Sequence, residues 1–177
     1  ENSKYVIKNP IDYKGEFQTL FSNTNKIEIE IGMGKGDFII GKALQNPDIN
    51  YIGIEKFDSV IVRAIQKLDE LDLPNLKLIR MDALEIDNIF DKEIDILYLN
   101  FSDPWPKNRH EHRRLTSKIF LDKYKNKGDN DYYKCGQILN ETTDVVEGEY
   151  GVIKGTRVGD DGVYIEFYIK HKDNVKK

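Results

Sequence analysis

KIEIEIGMGKGDF, residues Lys26 to Phe38, is the stretch that decides the fold. Isoleucine alternates with glutamate from Ile27 to Ile31, the period of a β-strand. The run breaks into Gly32-Met33-Gly34-Lys35-Gly36, and an apolar pattern of helical spacing starts at Asp37. The helix runs Asp37 to Gln45, with Phe38, Ile39, Ala43 and Leu44 on overlapping faces. Asn46-Pro47-Asp48 closes it, and Tyr51–Glu55 is the second strand. Ser59 to Leu71 is helical, with Val60, Ala64, Ile65 and Leu68 at three-to-four spacing, and Pro74 ends it. Leu76–Ala83 and Ile94–Asp103 are the third and fourth strands. Strands separated by helical crossovers pair in parallel with right-handed connections. The fold class is therefore α/β, an open, doubly wound, mostly parallel sheet.

Further along, Leu115 to Lys125 forms an amphipathic helix with Leu115, Ile119 and Phe120 inward. Gly136–Leu139, Tyr150–Gly155 and Val163–Lys170 read as strands, with Asp160-Asp161-Gly162 as a hairpin turn before the last. The expectation is one domain over residues 1–177: an N-terminal segment 1–25, a core 26–125 and a β-rich tail 126–177.

Composition narrows the function. At 177 residues the chain is long enough to bury a core without disulfides or a structural metal. Hydrophobic residues make up 39%, charged residues 33%, and the mean hydropathy is −0.59, which reads as a soluble globular chain. No apolar run approaches the length of a membrane span, and the first ten residues lack the apolar core of a secretory signal. Cys135 is alone, so no internal disulfide forms, and three histidines offer little to a metal. A reducing cytoplasm, no membrane and no metal are the expectations. The net charge of −4 does not advertise a nucleic-acid partner, but its distribution is uneven. Asp103 to Lys127 carries +5 and the remainder −9.

The candidate site residues lie at strand ends. Gly32 and Gly34 allow a tight turn and close approach of a ligand to the backbone. The dinucleotide fingerprint would need a third glycine at position 37, where this chain has Asp37, and an acid at a helix N-terminus competes with a pyrophosphate. Glu30, two residues before the first glycine, suits a cationic or hydroxyl-bearing ligand. Glu55 ends the second strand, where an acid can accept both hydroxyls of a ribose; this fits NAD and S-adenosylmethionine equally. Asp82-Ala83 ends the third strand, where an acid can accept from an adenine amino group. Three acids at three successive strand ends beside a glycine turn point to a nucleoside ligand. Asn100-Phe-Ser-Asp103-Pro-Trp105-Pro106-Lys107 follows the fourth strand at the same edge. Its prolines fix a rigid loop, and Asp103 can accept N–H bonds from a purine edge. Lys107, Arg109, Arg113 and Arg114 come directly after, as a phosphodiester substrate would require.

EIGMGKG, YIGIE and above all LNFSDPWPKNRHEHRRLTSKIFLDKYK closely resemble the bacterial TrmB-type tRNA (guanine-N7)-methyltransferases, over residues 5 to 125. The resemblance implies a Rossmann-like class I methyltransferase fold, S-adenosylmethionine as methyl donor, and tRNA as partner, methylated at guanine N7 in the variable loop. Glu30, Glu55, Asp82 and Asp103 match the family's donor-binding acids. Asp103 also matches its proposed catalytic aspartate, and Lys107 a substrate-contacting lysine. The reaction suits these residues: guanine N7 is already nucleophilic and the sulfonium a strong electrophile, so catalysis is mostly positioning. Asp103 can hold the guanine N1 and N2 hydrogens and oppose the positive charge that develops on the ring. The family continues with a Gly-x-Ile strand and a Thr-Asp pair, to which Gly136-Gln137-Ile138 and Thr143-Asp144 correspond, one residue out of step. Its final Thr-x-Tyr-Glu motif is absent. Another methyl acceptor and a non-catalytic RNA-binding module stay open as alternatives, as does a choice between monomer and homodimer.

Overall fold

A computed structural model describes residues 3–100; Leu115, Ile119, Phe120 and Lys123; and the backbone of residues 132–138, 147–148, 151–152, 156–159 and 162–170. Its strands in chain order are β1 (Val6–Ile7), β2 (Ile27–Ile31), β3 (Asn50–Glu55), β4 (Leu76–Arg80), β5 (Ile96–Asn100), β6 (Tyr132–Ile138), β7 (Glu147–Gly148), β8 (Gly151–Val152), β9 (Thr156–Gly159) and β10 (Gly162–Lys170). Eight of them form the main sheet, in the order β1-β4-β3-β2-β5-β6-β10-β9. β1 through β6 pair in parallel, whereas β10 is antiparallel to both β6 and β9. β7 and β8 form a separate two-stranded ladder.

The chain builds outward from β2 through β3 to β4, then returns to lay β5 on the other flank of β2. That reversal leaves a crevice beyond the carboxyl ends of β2 and β5, where open α/β sheets bind ligands. Helix α1 (Asp37–Gln45) and helix α2 (Asp58–Leu68) are the crossovers on the β3 side.

The two faces of the sheet differ in chemistry. On one, Ile27, Ile29, Ile31, Ile52, Ile54, Ile79, Leu97 and Leu99 join Phe17, Phe90 and Phe120 in a wholly apolar core. Phe17 and Phe90 stack there with ring centroids 4.5 Å apart. On the other, Ile39, Ile40 and Ala43 of α1 and Ile61, Ala64 and Leu68 of α2 cover Tyr51, Leu76 and Leu78. Beneath α1 this second face also carries Glu28 and Glu30, both buried. The alternation of β2 therefore does not mark a wet face: all five of its residues are buried.

α1 has the bounds its periodicity predicts. Its inward face is Ile39, Ile40 and Ala43, and Leu44, which the spacing groups with them, is 53% exposed. α2 begins one residue earlier than expected, at Asp58, and stops at Leu68, where Asp69 closes the last turn onto Ile65. β4 ends at Arg80, because Asp82 leaves the strand to cap a short 3-10 turn over Ala83–Glu85. β5 begins at Ile96, two residues later than expected. In the helix that includes Ile119, Phe120 and Lys123, Phe120 is buried and Leu115 packs on the apolar core, but Ile119 is half exposed. The inward expectation for Ile119 is wrong, since a step of one residue turns a helical side chain through about 100°. β6 starts four residues before the expected Gly136, and β9, not foreseen, pairs antiparallel with β10; Asp160 and Asp161 of the expected hairpin turn lie outside the described residues. Only Gly151–Val152 of the expected strand 150–155 is assigned to a strand among the described residues.

Candidate functional site

The glycine turn is built from backbone hydrogen bonds and positive dihedral angles. Gly32, Gly34 and Gly36 have φ of 73°, 56° and 78°, values at which a Cβ is strained. The Gly32 and Met33 N–H groups both donate to the Ile54 carbonyl, at 2.9 and 3.0 Å, tying the turn to β3. A Cβ at Gly36 would lie 3.2 Å from both Ala64 and Ile40, so this glycine lets α1 and α2 pack closely. Nothing lies within 4 Å of a Cβ built at Gly34: here the backbone faces open space. Asp37 opens α1, favourable at the positive end of the helix, and is paired with Lys67 of α2.

Glu30 sits at the crevice. It is 2% exposed, and its Oε1 accepts a hydrogen bond from Asn100 Nδ2 at 2.9 Å. Its Oε2 is buried with no hydrogen-bond partner among the described residues. Burial pushes the carboxyl pKa up to about 7. The Asn100 amide and, more weakly, the nearby Ile39 N–H, which falls short of hydrogen-bond geometry, pull it back, while the charges of Asp37 and Glu55 add to the rise. A buried carboxylate oxygen with nothing to accept from is costly. A cation or a hydroxyl arriving from the crevice would satisfy it.

Glu55 is 8% exposed and organises the turns around it. Its Oε1 accepts from the Lys56 and Phe57 N–H groups, at 2.8 and 3.1 Å, and its Oε2 from the Gly34 N–H at 3.1 Å. A carboxylate has about four acceptor sites, so one is left for a ligand hydroxyl. Asp82 is likewise occupied: Oδ1 accepts from the Leu84 N–H at 3.0 Å and Oδ2 from Lys56 Nζ at 2.7 Å. Burial alone raises the Asp82 pKa, but these two donors outweigh it and hold the carboxyl below the usual range. Ala83 is 8% exposed with its side chain in the apolar core, so its backbone is what remains for a ligand.

Thus Glu30, Gly32, Gly34 and Glu55 form one cluster, and the Lys56–Asp82 bridge joins the loops after β3 and β4 beside it. Asp103, Lys107, Arg109, Arg113, Arg114 and Asp144 lie outside the described residues.

The structure adds residues that sequence reasoning missed. Asn100, to which the sequence assigns no role, is the partner of Glu30. Gly53 faces the turn from β3: a Cβ there would meet the Met33 side chain and lie 3.1 Å from Leu78. The signal was its register opposite Glu30 in a strand otherwise free of small residues. Glu28 accepts from the Tyr98 hydroxyl at 2.7 Å, with Lys42 Nζ 3.9 Å away. Phe38 packs edge-on against Tyr98, 5.0 Å between centroids.

The family model described as a putative methyltransferase matches residues 24–154. A tRNA (guanine-N(7)-)-methyltransferase of Bacillus licheniformis is 57% identical over 125 residues, 70% of this chain and 59% of that protein. One of Bacillus cytotoxicus is 50% identical over 158 residues, 86% of this chain and 73% of that protein. The chain belongs to the tRNA (guanine-N7)-methyltransferase family. The family match continues past Lys125, where the recognisable motifs stop, into the tail. The chain spans about 59% of the length of its Bacillus licheniformis relative. Among solved structures, the antibiotic-resistance methyltransferase Kmr superposes with a TM-score of 0.57 over 88% of this chain and 92% of that one, at 13% identity, a likeness of fold. The sheet order and its antiparallel β10 are thus those of a Rossmann-like methyltransferase. Among the described residues, no group of three His, Cys, Asp or Glu could hold a metal. No helix among them is long and apolar enough to cross a membrane.

Proposed function

We propose that this chain transfers a methyl group from S-adenosylmethionine to N7 of guanine in tRNA, at a variable-loop guanine of the position-46 type. The observation that carries the reading is the cluster at the β2–β5 crevice. There, a buried carboxylate with one unpartnered oxygen stands beside a turn of positive-φ glycines, of which Gly34 faces open space. An α-amino cation satisfies Glu30 Oε2, a ribose hydroxyl takes the remaining acceptor site of Glu55, and the Gly34 backbone allows close approach. Asp82 and the Ala83 backbone are assigned to the base of the same donor. The residues present therefore fit the methyl donor.

When bound, the donor supplies an electrophilic methyl group on a sulfonium. Guanine N7 brings its own lone pair, so the chain need not generate a nucleophile and no metal is called for. Its task is to hold N7 in line with the methyl–sulfur bond. Asp103 is assigned to the guanine N1 and N2 hydrogens, where its charge stabilises the cationic ring as it forms. Lys107, Arg109, Arg113 and Arg114 are assigned to tRNA phosphates, and Asp144 to the substrate. The names of relatives at 50–57% identity support the tRNA half of this reading. A cytoplasmic location follows from that substrate.

Mass spectrometry of nucleosides, from unmodified tRNA incubated with protein and S-adenosylmethionine, tests the proposal. Appearance of 7-methylguanosine is expected. Donor binding without any methylated guanosine would overturn the assignment of reaction.

A further inference from the structure

Lys56 is held at both ends by acids of the donor site. Its backbone N–H donates to Glu55 Oε1 at 2.8 Å, and its Nζ donates to Asp82 Oδ2 at 2.7 Å. It therefore touches both the acid assigned to the ribose and the acid assigned to the base. The other Asp82 oxygen, Oδ1, accepts from the Leu84 N–H at 3.0 Å. One donor on each oxygen sets the plane of the carboxylate. Burial raises the Asp82 pKa and the two donors more than offset it, so the group stays ionised, and each oxygen keeps a lone pair to spare.

The segments that carry these residues are tied together independently of Lys56. β3 and β4 run in register as far as Glu55 opposite Arg80, and beyond that rung the Met81 N–H donates to the Glu55 carbonyl at 3.1 Å. A second ion pair, Arg80 Nε to Asp58 Oδ1 at 2.5 Å, joins the same two segments. What Lys56 adds is a hold on Asp82 Oδ2.

We propose that Lys56 is a positioning residue that, acting through Asp82, makes the site select a donor whose base carries an amino group. The inference rests on the donor reading given above. With its plane set by Lys56 and the Leu84 N–H, Asp82 offers an exocyclic amino group a charged acceptor that is already ordered. Without Lys56 the carboxylate turns on the Leu84 N–H alone, and the ligand must order it. A base that lacks the amino group makes no use of Asp82 and is indifferent to the change.

The test measures dissociation constants by calorimetry for S-adenosylhomocysteine and for its analogue with hydrogen in place of the base amino group. The proteins are the wild type, Lys56→Met, Lys56→Arg and Asp58→Asn. The wild type should prefer the amino ligand about tenfold, the scale of one hydrogen bond to a charged group. Lys56→Met should weaken S-adenosylhomocysteine about three- to fivefold, the scale of an exposed ion pair, and leave the analogue unchanged, so that the preference falls to about two- to threefold. Lys56→Arg, which keeps a cation, should restore most of the preference. Asp58→Asn, which breaks the neighbouring pair, should leave it at the wild-type value. Equal weakening of both ligands in Lys56→Met marks a general structural defect and overturns the proposal. So does unchanged or tighter binding of S-adenosylhomocysteine, the tighter result meaning that Lys56 blocks the acceptor. A preference lost as fully in Asp58→Asn or Lys56→Arg as in Lys56→Met overturns it as well. A wild type that binds the two ligands equally overturns it while leaving the donor reading intact. Absence of S-adenosylhomocysteine binding removes the donor reading and the proposal with it.

Discussion

Replacing Glu30 by glutamine separates what the carboxylate does for a ligand from what it does to the fold. In the ligand-free chain burial pushes its pKa up to about 7, against 4.5 for an ordinary glutamate. A carboxyl that holds its proton more tightly when folded supports the fold at low pH and loses that support as pH rises. From roughly pH 4.5 to 7 the unfolded chain gives up the proton while the folded chain keeps it, so stability falls across this window, and above it the loss is complete. Between about pH 5.5 and about pH 8 the loss amounts to about 2 kcal/mol. Glutamine retains an oxygen that accepts from Asn100 but carries no charge to bury. Urea denaturation of wild type and Glu30→Gln at those two pH values should therefore show the variant gaining about 2 kcal/mol on the wild type as pH rises. Donor binding should be lost in the same variant. Parallel stability profiles for the two proteins would refute the argument, because they would mean that Glu30 ionises in the folded chain as it does in water.

Gly53→Ala should lower stability by about 1–3 kcal/mol, since its methyl collides with Met33 and crowds Leu78. Gly41→Ala should raise stability by roughly 0.5–1 kcal/mol, because it lies within α1 with nothing within 4 Å of the new methyl; thermal denaturation of both reads the contrast. Asp103→Ala and Asp103→Asn should both reduce turnover strongly with the circular-dichroism spectrum unchanged, the asparagine failing because the charge is what opposes the ring cation. Neutralising Lys107 and Arg109 should weaken tRNA binding and reduce the log–log salt slope by about one unit for each phosphate no longer neutralised, with S-adenosylhomocysteine affinity constant by calorimetry. Methylation of pre-folded tRNA should persist in EDTA.

The fold was legible where apolar spacing is regular. Ile39, Ala43, Ala64 and Leu68 recur at helical intervals, and both ends of α1 follow from them. The acids at the strand ends were legible as a group, because topology alone brings successive strand ends to one edge. Their partners were not. That Glu30 meets Asn100 depends on which strand lies beside β2, and nothing local to residues 94–103 says that β5 does. The alternation of Ile27 to Ile31 identifies the strand but not its burial, for the same reason: half-buried and fully buried strands share the pattern, and only the helix laid over Glu28 and Glu30 distinguishes them. β1 and β9 are edge strands of two and four residues, too short for their own periodicity and assigned only through pairing with β4 and β10.

The two-faced character of β2 also governs how the sheet assembles. Side chains alternate along a strand, so a slip of one residue in its pairing would exchange the faces. Glu28 and Glu30 would then point among the aliphatic side chains of Ile52, Ile54, Leu97 and Leu99, and three isoleucines would meet Tyr98, Asn100 and the turn. Two carboxyls in an apolar core are far more costly than any mismatch of aliphatic shapes. An all-isoleucine strand would tolerate the shifted pairing. Glu28 and Glu30, of which only Glu30 keeps an unsatisfied oxygen, therefore make the central strand intolerant of misregistration while the sheet forms.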